Sequence, residues 1–376
     1  MLTSDSLSDH LTRRRHALVH SASPRTWRAA ALTLNRSNAA IWVPVRVGVA
    51  LAVVLVIGGL AGRVDVAGFA ALGALTSAFC RNDPYRIRLP RLAVTGGTLV
   101  LFVVFGGILG AAGASMPLQI VGLSMAAAVA VMVMGACRLL GPGPVVMIFA
   151  AAGAVGYATS SGDVVAATVS AAIGVMIGIC ASLAPWPYEI ARGVRNAGGT
   201  SWGSVGADLR RVADRELLVA AARVALASAV AAGVAYAIGL SHPMWAAMGA
   251  IATLQGINFH LTVHRGVQRL IGNVVGGVLA AGLLAVPLGY WGAVVLVVIF
   301  QVAAELLVAV NYGLCSMAVT PMALLLTAMG TGLTPDVALD RMADTALGVV
   351  FGIVIAALTI ARHDTAHHIA EVATAR

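Results

Sequence analysis

The 376-residue sequence contains no lysine: all 24 of its Lys+Arg positions are arginine. Only 10% of its residues are charged, against about 25% in a soluble domain, which is too few to cover a water-exposed surface. Cys80, Cys137, Cys180 and Cys315 are the only cysteines. They stand singly, without the paired spacing of a metal knuckle or redox motif, and read as small apolar packing residues. There is no phosphate-binding glycine loop, no two-histidine metal helix and no nucleophile elbow, so neither an enzyme nor a cofactor is expected. His363, His367 and His368 read as a solvated tail rather than a metal site. The first 40 residues carry Arg13, Arg14, Arg15, Arg25, Arg28 and Arg36 but no apolar core with a cleavage site, which speaks against a removable signal peptide.

What is abundant is apolar sequence. Hydrophobic residues make up 60% of the chain, mean hydropathy is +0.93, and the apolar residues are gathered into runs with short polar breaks. That is the pattern of helices that satisfy their own backbone hydrogen bonds in lipid. With a spanning length of roughly 20 residues, spans are expected at 44–61, 66–79, 91–112, 117–136, 144–159 and 164–184. Six more follow at 218–240, 244–257, 268–286, 290–309, 313–330 and 337–360. The net charge of +9 does not indicate a nucleic-acid partner, because the arginines flank apolar runs. All but Arg63 and Arg341 fall on or beside segments assigned to the cytoplasm, the positive-inside pattern. Both termini are then cytoplasmic, and the breaks at 63–65, 161–163, 241–243 and 334–336 face outward.

Two halves resemble each other. Phe69-Ala-Ala-Leu-Gly-Ala-Leu75 matches Trp245-Ala-Ala-Met-Gly-Ala-Ile251, and Ile173-Gly-Val-Met-Ile-Gly-Ile179 matches Leu347-Gly-Val-Val-Phe-Gly-Ile353. Arg46 pairs by position with Arg223, and Arg91 with Arg269. The expectation is an all-α membrane protein of about 12 transmembrane helices, built as two parallel six-helix repeats. Its parts are a cytoplasmic segment 1–40, repeat 41–185, linker 186–217, repeat 218–361 and tail 362–376. Surface helices are expected near Arg25–Leu34, anchored by Trp27, and Val205–Leu218.

A matched defect points to a site. The second segment of each half, Val66–Phe79 and Met244–Ile257, is too short to cross roughly 30 Å of hydrocarbon upright, and paired short segments mark a central binding site. Gly73 and Gly249 permit close backbone approach there. Glu305 reads as mid-span within Val294–Val310, where an ionised side chain costs about 2.5–3.5 kcal/mol. Gln301, one turn earlier, shares its face. The alternatives are a proton-exchanging or substrate-bonding pair and a structural hydrogen bond between helices. Asp340, Arg341 and Asp344 open the last helix, with an Arg341–Asp344 ion pair geometrically available; the alternative is a solvated helix entrance. Arg46, Arg223, Arg91, Arg265 and Arg269 would ring the inner mouths and concentrate anions, or serve only as topology determinants. Gln255, Asn258 and Asn273 can supply hydrogen bonds at that level.

Pro243-Met-Trp-Ala-Ala-Met-Gly-Ala and His264-Arg-Gly-Val-Gln-Arg-Leu-Ile-Gly-Asn-Val-Val-Gly-Gly resemble the fusaric acid resistance protein-like (FUSC) family, also called the aromatic acid exporters. The resemblance spans about 40–362. It implies inner-membrane efflux of aromatic carboxylic acids driven by protons, with Trp245 in the motif. The related plant malate channels, six-helix proteins that dimerise, imply a two-half pore with Arg223, Arg265 and Arg269 toward the anion, and leave pairing of two copies open. The chain departs from longer exporters in lacking a large cytoplasmic domain between its halves. The site residues expected for a small organic anion and protons are Glu305, Gln301, Asp344, Arg341, Arg46, Arg223, Arg269, Arg265, Gln255 and Trp245. A passive anion channel and a non-transporting membrane scaffold are the alternatives.

Overall fold

A computed structural model describes residues 27–28, 42–192, 200–255, 259–331 and 334–359. The expected surface helix at Arg25–Leu34, Asn258, the C-terminal histidines and the tail lie outside these residues, apart from Trp27 and Arg28. Among the described residues every regular element is a helix. In chain order they are α1 (Trp42–Leu60), α2 (Val64–Ala74, continued as a 3-10 turn Leu75–Ala78), α3 (Tyr85–Ala111), α4 (Met116–Ala136), α5 (Val145–Tyr157) and α6 (Ser161–Leu183). After the short α7 (Trp186–Ala191) and α8 (Trp202–Leu209) come α9 (Arg215–Ala237), α10 (Pro243–Thr253), α11 (Phe259–Leu284), α12 (Gly289–Leu307), α13 (Tyr312–Thr331) and α14 (Asp336–Leu358).

Each of the twelve apolar runs contains a helix, and nine among the described residues are long and apolar enough to cross a bilayer. The shorter ones are α2, α5 and α10. The start of α6 shows how a boundary is written locally. Ser160 Oγ accepts from the amide of Asp163, whose carboxylate accepts in turn from the amide of Ser160, a reciprocal cap that satisfies two orphan donors. Many outward faces are apolar, with Leu101, Val165, Met176, Val278 and Ile299 exposed. The charged and amide groups Arg88, Arg269, Asn273, Gln301, Glu305, Arg341 and Asp344 are buried. That distribution suits lipid outside and polar partners inside.

In the first half α2 packs on α6, α3 on α5 and α6, and α1 on α2 and α6. In the second, α10 packs on α14, α11 on α13 and α14, and α9 on α10 and α14. The two pairs of matched sequence motifs are the two faces of one contact. A methyl group on Gly73 would sit 2.7 Å from the amide nitrogen of Val175, and one on Gly348 would sit 2.9 Å from that of Ala250. Only hydrogen fits where these helices touch backbone to backbone.

The halves meet along two seams, α1 against α12 and α4 against α9, with α2 reaching α13 and α10 reaching α5 between them. Helix direction alternates, so Arg81, Arg86, Arg88, Arg91, Arg138, Arg223 and Arg265 gather at one end of the bundle, called here the arginine-rich end. Asp65, Tyr157, Ser241 and His242 border one cavity at the other.

Candidate functional site

The first seam carries Glu305. It stands in the last turn of α12 rather than in mid-span, because the helix stops at Leu307. Asn311 Oδ1 then accepts from the amides of Gly313 and Leu314 at 2.6 and 3.2 Å, starting α13. The side chain is 6% exposed. Its carboxylate lies 3.5 Å from Arg81 Nη2 and accepts from Gln301 Nε2 at 3.3 Å. Arg81 belongs to the loop between α2 and α3. Arg88 braces that loop by donating to the carbonyls of Arg81 and Asp83 at 3.0 and 2.6 Å, and Arg91 by pairing with Asp83 at 2.8 Å. Arg91 also reaches Asp208 of α8 at 3.6 Å, so the linker docks on this end. Arg46 in α1 donates to the carbonyl of Ser77 at 3.3 Å.

Toward the opposite end, α14 places Arg341 and Asp344 inside the bundle. The ion pair that their spacing makes available does not form: among the described residues no carboxylate lies within ion-pair distance of Arg341. The guanidinium instead lies over the ring of Trp245 at 5.0 Å and that of Phe149 at 6.0 Å, a cation held by aromatic faces. Its backbone carbonyl accepts from Asn273 Nδ2 at 3.2 Å, and Asn273 Oδ1 accepts from Thr320 at 3.1 Å. Asp344 is fully buried, and neither carboxyl oxygen meets a hydrogen-bond donor among the described residues. Asp340 turns to His242, 3.5 Å away. The imidazole of His242 stacks on Trp245 with centroids 4.2 Å apart. Burial pushes this histidine below its usual range, against the pull of Asp340 in the other direction.

Two cavities among the described residues bear on the expected site. The one at the arginine-poor end has a volume of about 410 Å³ and is walled by Phe69, Phe149, Tyr157, His242 and Trp245, with Asp65 and Gln119 at its edge. Asp65 accepts from Tyr157 at 3.0 Å and pairs with Arg63 at 3.1 Å. The cavity at the arginine-rich end, about 560 Å³, lies along the second seam and is lined by Met134, Arg138, Gly143, Arg223, Ile251 and Gln255 among others. Arg265 donates to Gln255 Oε1 at 3.0 Å and lies over the ring of Tyr312 at 4.1 Å. Arg269 donates to the hydroxyl of the same tyrosine at 3.2 Å. Both volumes fall in the roughly 300–1,000 Å³ typical of small-molecule sites.

The ten expected residues therefore fall into three groups. Trp245 lines the first cavity, with Arg341 against the rings of Trp245 and Phe149 and Asp344 three residues along the same helix; Arg46, Gln301 and Glu305 are on the first seam, and Arg223, Gln255, Arg265 and Arg269 at or behind the second cavity. Glu305 borders neither cavity. Sequence reasoning missed Arg81 as its partner, the aromatics Phe149 and Tyr157, and Arg138. The one signal for Arg138 was an arginine just past a helix end, where glycine is usual.

Residues 230–355 match the fusaric acid resistance protein-like family, and the Pro243–Gly277 stretch lies inside that segment. No curated protein and no solved structure matches the chain. A match to this family on a bundle of lipid-length helices makes the chain a multi-pass membrane protein and points to the transporter or efflux type.

Proposed function

We propose that the chain exports small organic anions, above all aromatic carboxylic acids, across a bacterial inner membrane, with the arginine-rich end in the cytoplasm. The observation that carries this reading is the aromatic cavity between the halves. Phe69, Phe149, Tyr157 and Trp245 offer ring faces, and Arg341 stands behind Trp245 with no carboxylate neutralising it at ion-pair distance among the described residues. Aromatic walls bind a ring by offset or edge contacts, and a guanidinium suits a carboxylate.

In this proposal the bundle comprises twelve crossings arranged as two parallel six-helix repeats, 41–185 and 218–361. The support is that the same five helix pairs pack in each half and that the glycine contacts correspond. The short α2 and α10 both wall the aromatic cavity, with Phe69 and Leu72 from one and Trp245 and Met248 from the other. Proton coupling is assigned to Asp344, buried one turn from Arg341 on the same helix, with Glu305 the second candidate. The tie of Glu305 to Arg81 across the seam favours a role in holding the halves together. A small organic anion, protons and lipid are the partners of this reading.

Proteoliposomes loaded with benzoate test it. Efflux should appear, accelerate when a proton gradient is imposed, and lose that acceleration in Asp344→Asn. Unchanged coupling in both Asp344→Asn and Glu305→Gln removes the two carboxylates from the mechanism. Currents that follow voltage without proton movement would replace the exporter by a passive channel, and the absence of any flux would leave a scaffold.

A further inference from the structure

The two seams correspond helix for helix but not charge for charge. On the first, α12 presents Glu305 two residues before its end, and the carboxylate meets Arg81. On the second, α4 presents Met134 two residues before its end. Arg223 of α9, the counterpart of Arg46, borders a cavity of about 560 Å³ with Arg138. No carboxylate is among the described residues that line it. Gln255 adds a third donor: its Oε1 is engaged by Arg265, while its buried Nε2 meets no acceptor among the described residues. The remaining wall is apolar, with Val131, Met134, Leu139, Val224 and Ile251.

Arg138 itself is held in a backbone conformation that arginine rarely adopts. Its φ is +52°, and the amides of Arg138 and Leu139 donate to the carbonyls of Gly135 and Met134 at 3.2 and 2.9 Å. This is the helix-ending position that glycine usually fills. An arginine held there at the expense of backbone ease is a candidate for a role beyond ending the helix.

We infer that this cavity is a binding site for a carboxylate carrying an apolar body. Occupation lets Arg138, Arg223 and Gln255 donate to the carboxylate while the body rests on the aliphatic wall. The site's use as the loading position for export rests on the proposed function; binding does not.

The probe is 4-azidobenzoate, photolysed on purified full-length protein in phosphatidylcholine nanodiscs, with labelled peptides mapped by mass spectrometry. Label is expected within 131–144, 220–224 or 251–255. Benzoate should displace it and benzamide should not. Arg223→Gln and Arg138→Gly should each reduce labelling at least tenfold at a fixed low probe concentration. Arg138→Gly should melt no lower than the parent, since glycine relieves the backbone, so a folding failure is separable from a lost site. The inference is overturned if those peptides stay unlabelled, if both variants label like the parent, or if benzamide competes as well as benzoate. It is also overturned if replacing a fraction of the lipid with phosphatidylglycerol abolishes labelling, since the cavity then holds a lipid headgroup. Benzoate efflux absent from the parent with labelling intact would count against the transport reading alone, and labelling absent with efflux intact against this inference alone.

Discussion

The buried carboxylate at the first seam allows a prediction whose sign depends on which partner is removed. Glu305 is 6% exposed, whereas the side chain of Arg81 is 26% exposed. Arg81→Gln leaves a buried carboxylate with the long hydrogen bond from Gln301 at 3.3 Å, and an uncompensated buried charge costs about 3–5 kcal/mol. Arg46, which acts on the same carboxylate through space, places the loss at the lower end of that range. Glu305→Gln leaves an arginine that still reaches water and an amide that still accepts from Gln301, so it should cost about 1 kcal/mol, the worth of one ordinary hydrogen bond. In the double variant two neutral amides face each other. It should recover most of the Arg81→Gln loss and retain about 1 kcal/mol of destabilisation, giving a coupling of about 3 kcal/mol. The assay is unfolding in mixed micelles as SDS is raised, followed by tryptophan fluorescence. Equal losses in the two single variants with simple addition in the double would refute the idea that this pair clasps the halves.

Three further outcomes follow from the packing and the charges. Gly348→Ala puts a methyl group 2.9 Å from the amide nitrogen of Ala250 and should destabilise the protein by about 1–3 kcal/mol through overpacking. Gly233→Ala, where nothing lies within 4 Å, should be neutral or slightly stabilising in the same SDS titration. His242 is pushed below its usual value near 6.5 by burial, so the folded state favours the neutral ring and its contribution is lost as pH falls from above 6.5 through the folded value. The melting temperature of the parent should therefore drop relative to His242→Gln between pH 7 and pH 5; a gap independent of pH would contradict this. Trp245→Ala removes the face that Arg341 and His242 both lie against and should weaken benzoate efflux about tenfold, read as a rise in the half-saturating concentration, in line with the worth of an aromatic contact; unchanged saturation would take Trp245 out of the path.

The amino-acid sequence by itself determined where the chain is helical. Each of the twelve apolar runs holds a helix, the form in which a lipid-buried backbone satisfies its own hydrogen bonds, and nine helices among the described residues are long enough to cross; that the matched glycines lie where α2 meets α6 and α10 meets α14 is decided by the packing. The position of Glu305 was beyond the reach of the sequence, because Val308-Ala309-Val310 is as apolar as the helix before it and hydropathy runs through the turn that Asn311 caps. The partners of the buried charges were equally hidden. Arg341 is three residues from Asp344, spacing that permits an ion pair, yet its guanidinium goes to the rings of Trp245 and Phe149 on other helices. Glu305 meets Arg81 from the opposite half. Local spacing lists which groups can meet along one helix, whereas the seams between halves decide which do, since a buried charge settles against whatever distant chain the packing brings within a few ångströms.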